Sequence, residues 1–184
     1  MPILAVEPSI FPENLLDNSV DSGEERRWWA IYTKSRQEKS LARQLLGMEV
    51  PFYLPLIPKT SLNRGRRCTS QIPLFSSYMF LFANEYERVR ALTTERIVQL
   101  LPARPGQGFA QDLFNIRELI RAGAPLTLES RLAVGQRVRV KSGALMGLEG
   151  VIISRRGEDR LLVGMRFLQQ GASVLIQDYQ VEPI

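Results

Sequence analysis

Apolar residues change their spacing along this chain, and each change marks an element. Trp28-Trp29-Ala30-Ile31-Tyr32-Thr33 is a run of aromatic and β-branched residues, the composition of a strand. The spacing then turns helical. At about 100° per residue, Leu41, Leu45 and Met48 share one face, and Arg36, Lys39 and Arg43 share another. Ser35 followed by Glu38 predicts a capping box at the start of this helix, and Gly47 its stop. Val50 to Ile57 reads as a second strand, bent or at an edge because Pro51 and Pro55 interrupt it. Residues 58–72 are a polar excursion with Asn63-Arg64-Gly65 as a hairpin tip. In the strand from Ser77 to Ala83, Tyr78, Phe80 and Phe82 point one way, Met79 and Leu81 the other.

Asn84 with Glu87 predicts a second capping box and a helix to about Leu92. Ile97 to Leu101 is a further strand, and residues 111–122 a third helix carrying Leu113, Ile116 and Ile120, ended by Gly123. The order β-α-β-β-α-β-α predicts an α+β fold: an α/β sandwich with an antiparallel sheet, RRM- or ferredoxin-like in its layers, over residues 26–123. Residues 124–131 read as a linker. From 132 to 184 the runs shorten to Arg137–Val140, Val151–Ile153, Leu161–Phe167, Ser173–Ile176 and Tyr179–Val181, separated by glycine-containing turns. That pattern predicts a small all-β barrel of about five strands.

Composition narrows the chemistry. The 184 residues include no histidine and one cysteine, Cys68. Ser-His-Asp and Cys-His catalysis, histidine metal sites, cysteine zinc cages and an internal disulfide are therefore all excluded. No paired carboxylates at catalytic spacing, phosphate loop or nucleophile elbow occurs, so the expectation is a non-enzyme with no cofactor and no metal. No apolar run approaches the roughly 20 residues of a membrane helix, and the N-terminus lacks a positively charged start. A cytoplasmic protein is expected, with no membrane partner.

Charge is segregated. Residues 1–25 carry six acids and no base, and read as a disordered acidic arm. The rest carries 24 bases against 13 acids, with arginine far outnumbering lysine. Such a body suits a polyanionic partner, nucleic acid most simply, or is a solvated surface. The acids of the arm could shield the basic helix. Arg66 and Arg67 flank the hairpin tip and could lower the pKa of Cys68, though a bystander thiol is the plainer reading.

In Gly135-Gln-Arg-Val138-Arg-Val140-Lys-Ser-Gly143-Ala-Leu-Met-Gly147-Leu-Glu-Gly150-Val151-Ile152, glycines stand where barrel corners need positive φ or close approach. With Gly143, Gly147 and Gly150 as turn glycines, the segment resembles the KOW motif, which places it in an SH3-like barrel; Ala144 stands where proline is common. Trp28 to Lys34, followed by a helix with Gln37, resembles the opening of an NGN domain. Pro73-Leu74-Phe75-Ser76-Ser77-Tyr78-Met79-Phe80-Leu81 resembles that domain's signature strand, with Ser76-Ser77 in place of the usual Pro-Gly or Pro-Asn. Over residues 27–184 the chain resembles the NusG family of transcription elongation factors and antiterminators. Arg64-Gly65-Arg66-Arg67, Pro-Leu-Phe and Thr33-Lys34 point to its specialised RfaH-like paralogues.

The resemblance implies a monomer that binds the clamp helices of the largest RNA polymerase subunit and suppresses pausing or termination. The matching apolar patch is Tyr32, Phe75, Tyr78 and Phe80, with Tyr32 and Phe75 as the exposed anchors; Tyr78 and Phe80 share a face that is either patch or core. Arg88, with Val89 and Arg90, matches the second polymerase contact. Lys34, Arg36, Gln37, Lys39, Arg43, Gln44 and Arg96 match the surface that reads the displaced non-template DNA strand, and Arg66 and Arg67 join them as nucleic-acid-binding candidates. Phe167 and Leu168 match the barrel's contact with a small-subunit ribosomal protein or with Rho. The valines and glycines of the barrel give no reason to expect a helical alternative state. An RNA-binding or ribosome-associated KOW protein is the competing reading.

Overall fold

The protein is described in a computed structural model at residues 6–17, 25–104, 106, 108–176 and 179–184. It divides into two compact units, Met1–Arg104 and Pro105–Ile184. In chain order the first holds strands β1 (Ile10–Phe11) and β2 (Arg27–Thr33), helix α1 (Glu38–Gly47), strands β3 (Phe52–Tyr53), β4 (Leu56–Asn63), β5 (Arg66–Pro73) and β6 (Tyr78–Ala83), helix α2 (Glu85–Leu92) and strand β7 (Ile97–Pro102). The second holds helix α3 (Phe109–Arg121) and strands β8 (Thr127–Glu129), β9 (Arg137–Val140), β10 (Glu149–Arg155), β11 (Glu158–Met165), β12 (Gln170–Leu175) and β13 (Val181–Pro183).

Alternation builds the first sheet, an antiparallel five-strand array in the order β1-β3-β6-β2-β7. Trp29 and Ile31 of β2, with Met79 and Leu81 of β6, form one cluster with Leu41, Ala42 and Leu45 of α1. This is the amphipathic contact that the helical spacing predicts, and each fully buried leucine or isoleucine contributes about 1.5–3 kcal/mol. On the opposite face Phe80 pairs with Tyr53, ring centroids 6.5 Å apart. Strands β4 and β5 form a separate two-stranded ribbon, so the polar excursion is a long regular hairpin turning at Arg64 and Gly65.

Three local expectations change. Residues 6–17 of the acidic arm are ordered, not disordered. Strand β1 pairs with β3 in the register Ile10↔Tyr53 and Phe11↔Phe52, Ser9 O accepts from Leu54 N at 2.6 Å, and Leu15 and Leu16 are buried. The apolar residues scattered among the acids cover an otherwise open sheet edge, an arrangement that protects it from unwanted pairing. Asp21 and Glu24 lie outside the described residues. The second strand, expected over Val50–Ile57, shrinks to Phe52–Tyr53, because Pro51 and Pro55 have no N–H to give the ladder. The capping box at Ser35 does not form: α1 starts after Gln37, with no side-chain cap. The second box forms in full, with Asn84 accepting from Glu87 N at 2.9 Å and Glu87 from Asn84 N at 3.0 Å.

The second unit carries a six-stranded antiparallel sheet in the order β13-β9-β10-β11-β12-β8. Gly147 sits at φ 85°, and a Cβ on Gly150 would lie 2.6 Å from Leu162 O, so two of the motif glycines are sterically required. The expected linker supplies β8, paired with β12, and its Glu129 is buried and accepts from Ser173 Oγ at 2.7 Å. By its contacts helix α3 packs in this unit, against β11. Its buried Asp112 accepts from Arg166 N at 2.9 Å and from Arg166 Nη2 at 2.8 Å.

Candidate nucleic-acid interface

Arg96 organises the largest group of predicted residues. It lies in the loop between α2 and β7, and its carbonyl accepts from Lys34 N at 2.9 Å, pinning that loop to the one between β2 and α1. Its Nε donates to Gln44 Oε1 at 3.1 Å and its Nη1 donates to Gln37 Oε1. Gln37 and Gln44 stand two turns apart, so they meet one guanidinium from the same face of α1. Arg36 reaches the helix start through a left-handed backbone, φ 58°. Lys34, Arg36 and Arg43 are exposed, and Lys39 is half-buried beside them. Hydrogen bonds thus join Lys34, Gln37, Gln44 and Arg96 into one cluster, and Arg36, Lys39 and Arg43 lie on the solvent side of the same segment. A phosphate chain could contact these cations while the amides reach base edges.

Arg43 already has a partner. Its Nη1 donates to both carboxylate oxygens of Glu7, at 2.9 and 2.7 Å. The pair is exposed, with 53% of the Arg43 side chain accessible. Sequence reading proposed shielding by the arm without naming Glu7, since long-range charge pairing leaves no local signature. Arg66 and Arg67 are not part of this surface; they stand on the β4–β5 ribbon.

The aromatic candidates separate into two pairs. Tyr32, 39% exposed, lies against half-buried Tyr78 with ring centroids 5.2 Å apart. Phe75 and Phe80 have no exposure and meet edge to face at 6.2 Å. Phe75 is therefore core and not an exposed anchor. Alternation placed Tyr78 and Phe80 on one face but could not show that the face is covered at Phe80 and open near its end. The open pair lies where β2 leaves the sheet, one residue before Thr33 and the Lys34 loop.

Glu38 is the residue that sequence reading assigned to the wrong task. It is buried and accepts from Ser77 N at 2.7 Å. Ser77 holds φ 63°, a position suited to the glycine it replaces in the signature strand, and its carbonyl accepts from Thr33 N at 2.9 Å. The carboxylate thus fixes the turn that presents Tyr78.

Arg88 is engaged within the first unit. It pairs with Glu85, and its guanidinium lies 5.5 Å from the Trp29 ring centroid. Neighbouring Glu87 is buried, which alone would raise its pKa. Arg26, at 2.9 and 2.7 Å, and the Asn84 N–H outweigh that cost and hold it below the ordinary carboxylate value.

In the second unit Phe167 packs edge to face on Phe109 of α3, 5.4 Å between centroids. Leu168 is half-buried in the turn that follows β11. Among the described residues no group of acidic or cysteine side chains could hold a metal ion, and no helix is long and apolar enough to cross a membrane.

A family model, NusG, described as transcription termination factor nusG, matches residues 26–117. No curated protein matches the chain.

Proposed function

The chain belongs to the NusG family of transcription elongation and termination factors, whose members act with RNA polymerase and are not enzymes, and from that premise we propose how its surfaces divide the work. The exposed Tyr32–Tyr78 pair docks on the clamp helices of the largest polymerase subunit, and the surface organised by Arg96 receives the displaced non-template DNA strand. The observation that carries this reading is their adjacency. Tyr32 is the penultimate residue of β2, two residues before Lys34, and the Lys34 N–H is bonded to the Arg96 carbonyl. A factor anchored by the tyrosines would hold its basic surface against the strand leaving the polymerase. Bridging clamp and DNA would favour the closed, elongating state and suppress pausing or termination.

Aromatic side chains are effective anchors because they bury a large area at low entropic cost. The half-buried Leu168 is the candidate contact for a small-subunit ribosomal protein or Rho. Phe167 is available to such a partner only in so far as Phe109 leaves it uncovered. The specialised, DNA-recruited role fits the basic surface and rests on it.

Co-elution of the purified chain with core polymerase tests the reading. Wild type should bind, and binding should tighten on a scaffold with an exposed non-template strand. Tyr32→Ala with Tyr78→Ala should weaken binding at least tenfold while leaving the melting temperature within a few degrees. Undiminished binding would remove the tyrosine pair from the interface. Tight RNA binding without any affinity for polymerase would favour the ribosome-associated reading.

A further inference from the structure

Three loops meet where the tyrosine pair adjoins the cluster around Arg96. They are residues 34–37 between β2 and α1, 74–77 between β5 and β6, and 93–96 between α2 and β7. Hydrogen bonds join them in a ring. The Lys34 N–H donates to the Arg96 carbonyl at 2.9 Å, and the Arg96 guanidinium donates to Gln37 Oε1. Glu38, the next residue, accepts from Ser77 N at 2.7 Å, and the Ser77 carbonyl accepts from Thr33 N at 2.9 Å. Thr33 precedes Lys34, which closes the circuit.

Each loop also holds one residue with a Cβ in a left-handed backbone: Arg36 at φ 58°, Ser77 at 63° and Glu95 at 58°. Such conformations are unfavourable and persist only where surrounding contacts enforce them. At Ser77 the enforcing contacts are the Glu38 carboxylate on its N–H and the Thr33 N–H on its carbonyl. A strained turn held this way has a relaxed alternative, in which Ser77 leaves the left-handed region and Tyr78 shifts with it. Coupling between two sites requires such a two-state element. The direct route along β2, from Tyr32 to Lys34, does not supply one, because that strand is paired on both sides, with β6 and β7. Glu38 is buried, while its neighbours Gln37 and Lys39 are partly accessible.

We propose that Glu38 is a positioning residue that couples the two surfaces. This coupling rests on the reading above, in which the cluster around Arg96 takes a DNA strand and the tyrosines take polymerase. A strand on Lys34 and Arg36 steadies the β2–α1 loop and the start of α1, and Glu38 passes that order to the Ser77 turn. Tyr78 is then held against Tyr32 in its docking geometry. Coupling is reciprocal, so docking at the tyrosines equally steadies the loop that holds the strand.

Amide exchange of the full chain, followed by NMR, tests this with a single DNA strand of about twelve nucleotides, a length such surfaces cover. In wild type the saturating strand should slow exchange of the Ser77 and Thr33 amides by about fivefold, the low end of coupling between sites. Glu38→Met keeps the bulk of the side chain and removes the acceptor. It should still bind the strand through Lys34 and Arg36 but lose the slowing. Glu38→Gln keeps an acceptor for the Ser77 N–H and should restore it, a rescue that packing alone does not give. Affinity for core polymerase should fall about fivefold in Glu38→Met and stay near wild type in Glu38→Gln. A strand that binds wild type without slowing either amide would overturn the coupling and leave the DNA surface standing. That comparison needs no variant, so it decides even where Glu38→Met does not fold. Full slowing in Glu38→Met would also overturn the role of Glu38. A wild type that binds no strand would remove the DNA surface itself, and the coupling with it.

Discussion

Ser77 occupies a left-handed backbone position, φ 63°, that costs a residue with a Cβ about 1–2 kcal/mol. Glu38 compensates by accepting its N–H at 2.7 Å. Ser77→Gly removes the strain and keeps the bond, at the expense of a more flexible unfolded chain. It should raise stability by about 0.5–1 kcal/mol, read as a gain of a few degrees in thermal melting. A lower melting temperature would mean that the serine side chain itself supports the turn. Glu87 makes a pH prediction. Its pKa is lowered on folding from an ordinary value of 4.5. Its contribution is therefore complete above about pH 4.5 and drains away as pH falls through the lowered value. Glu87→Ala should cost about 1–2 kcal/mol at neutral pH by removing cap and ion pair together. The gap to wild type should narrow below pH 4 in urea melts; a gap constant with pH would detach the effect from ionisation. Single residues were the least legible in sequence. The pattern placed Tyr78 and Phe80 on one face correctly, yet whether a face is covered depends on elements distant in the chain.

Among the elements, those set by local signals were legible. The box at Asn84 and Glu87 closes within one turn, and α2 starts where it predicts. The equally good signature at Ser35 and Glu38 failed because Glu38 bonds across 39 positions to Ser77 instead. Strand β1 and the full length of the ribbon were missed for a related reason: two apolar residues, or a polar run, become strands only when a partner supplies the ladder. Helix α3 had a clear period, but its attachment is tertiary. Asp112 is nearly enclosed and holds Arg166 by backbone and guanidinium. Asp112→Ala should leave that N–H without its acceptor and destabilise the second unit by about 2 kcal/mol. Hydrogen exchange along α3 should accelerate, and unchanged protection there would show that Phe109 and the other apolar residues suffice.

Across the whole molecule, charge is the property that composition foretold and the structure locates. A net charge of +5 conceals an acidic first segment and a strongly basic remainder. The described part of that segment is bound to the body at two kinds of contact. Strand β1 seals the sheet edge, and Glu7 covers Arg43 on the basic helix. Only the second is electrostatic, so the two can be separated. Removing the arm altogether would also take away the buried Leu15 and Leu16 and open the β3 edge, and would confuse shielding with unfolding. Glu7→Gln leaves the strand in place and releases Arg43. An exposed pair is worth at most about 1 kcal/mol, so single-stranded DNA should bind up to about fivefold more tightly at low salt, with no change in melting temperature. Raising the salt shortens the range of both attractions, and the advantage should fade by about 200 mM. Equal affinities at low salt would show that Glu7 does not compete with phosphate, leaving the arm with the single task of closing the sheet.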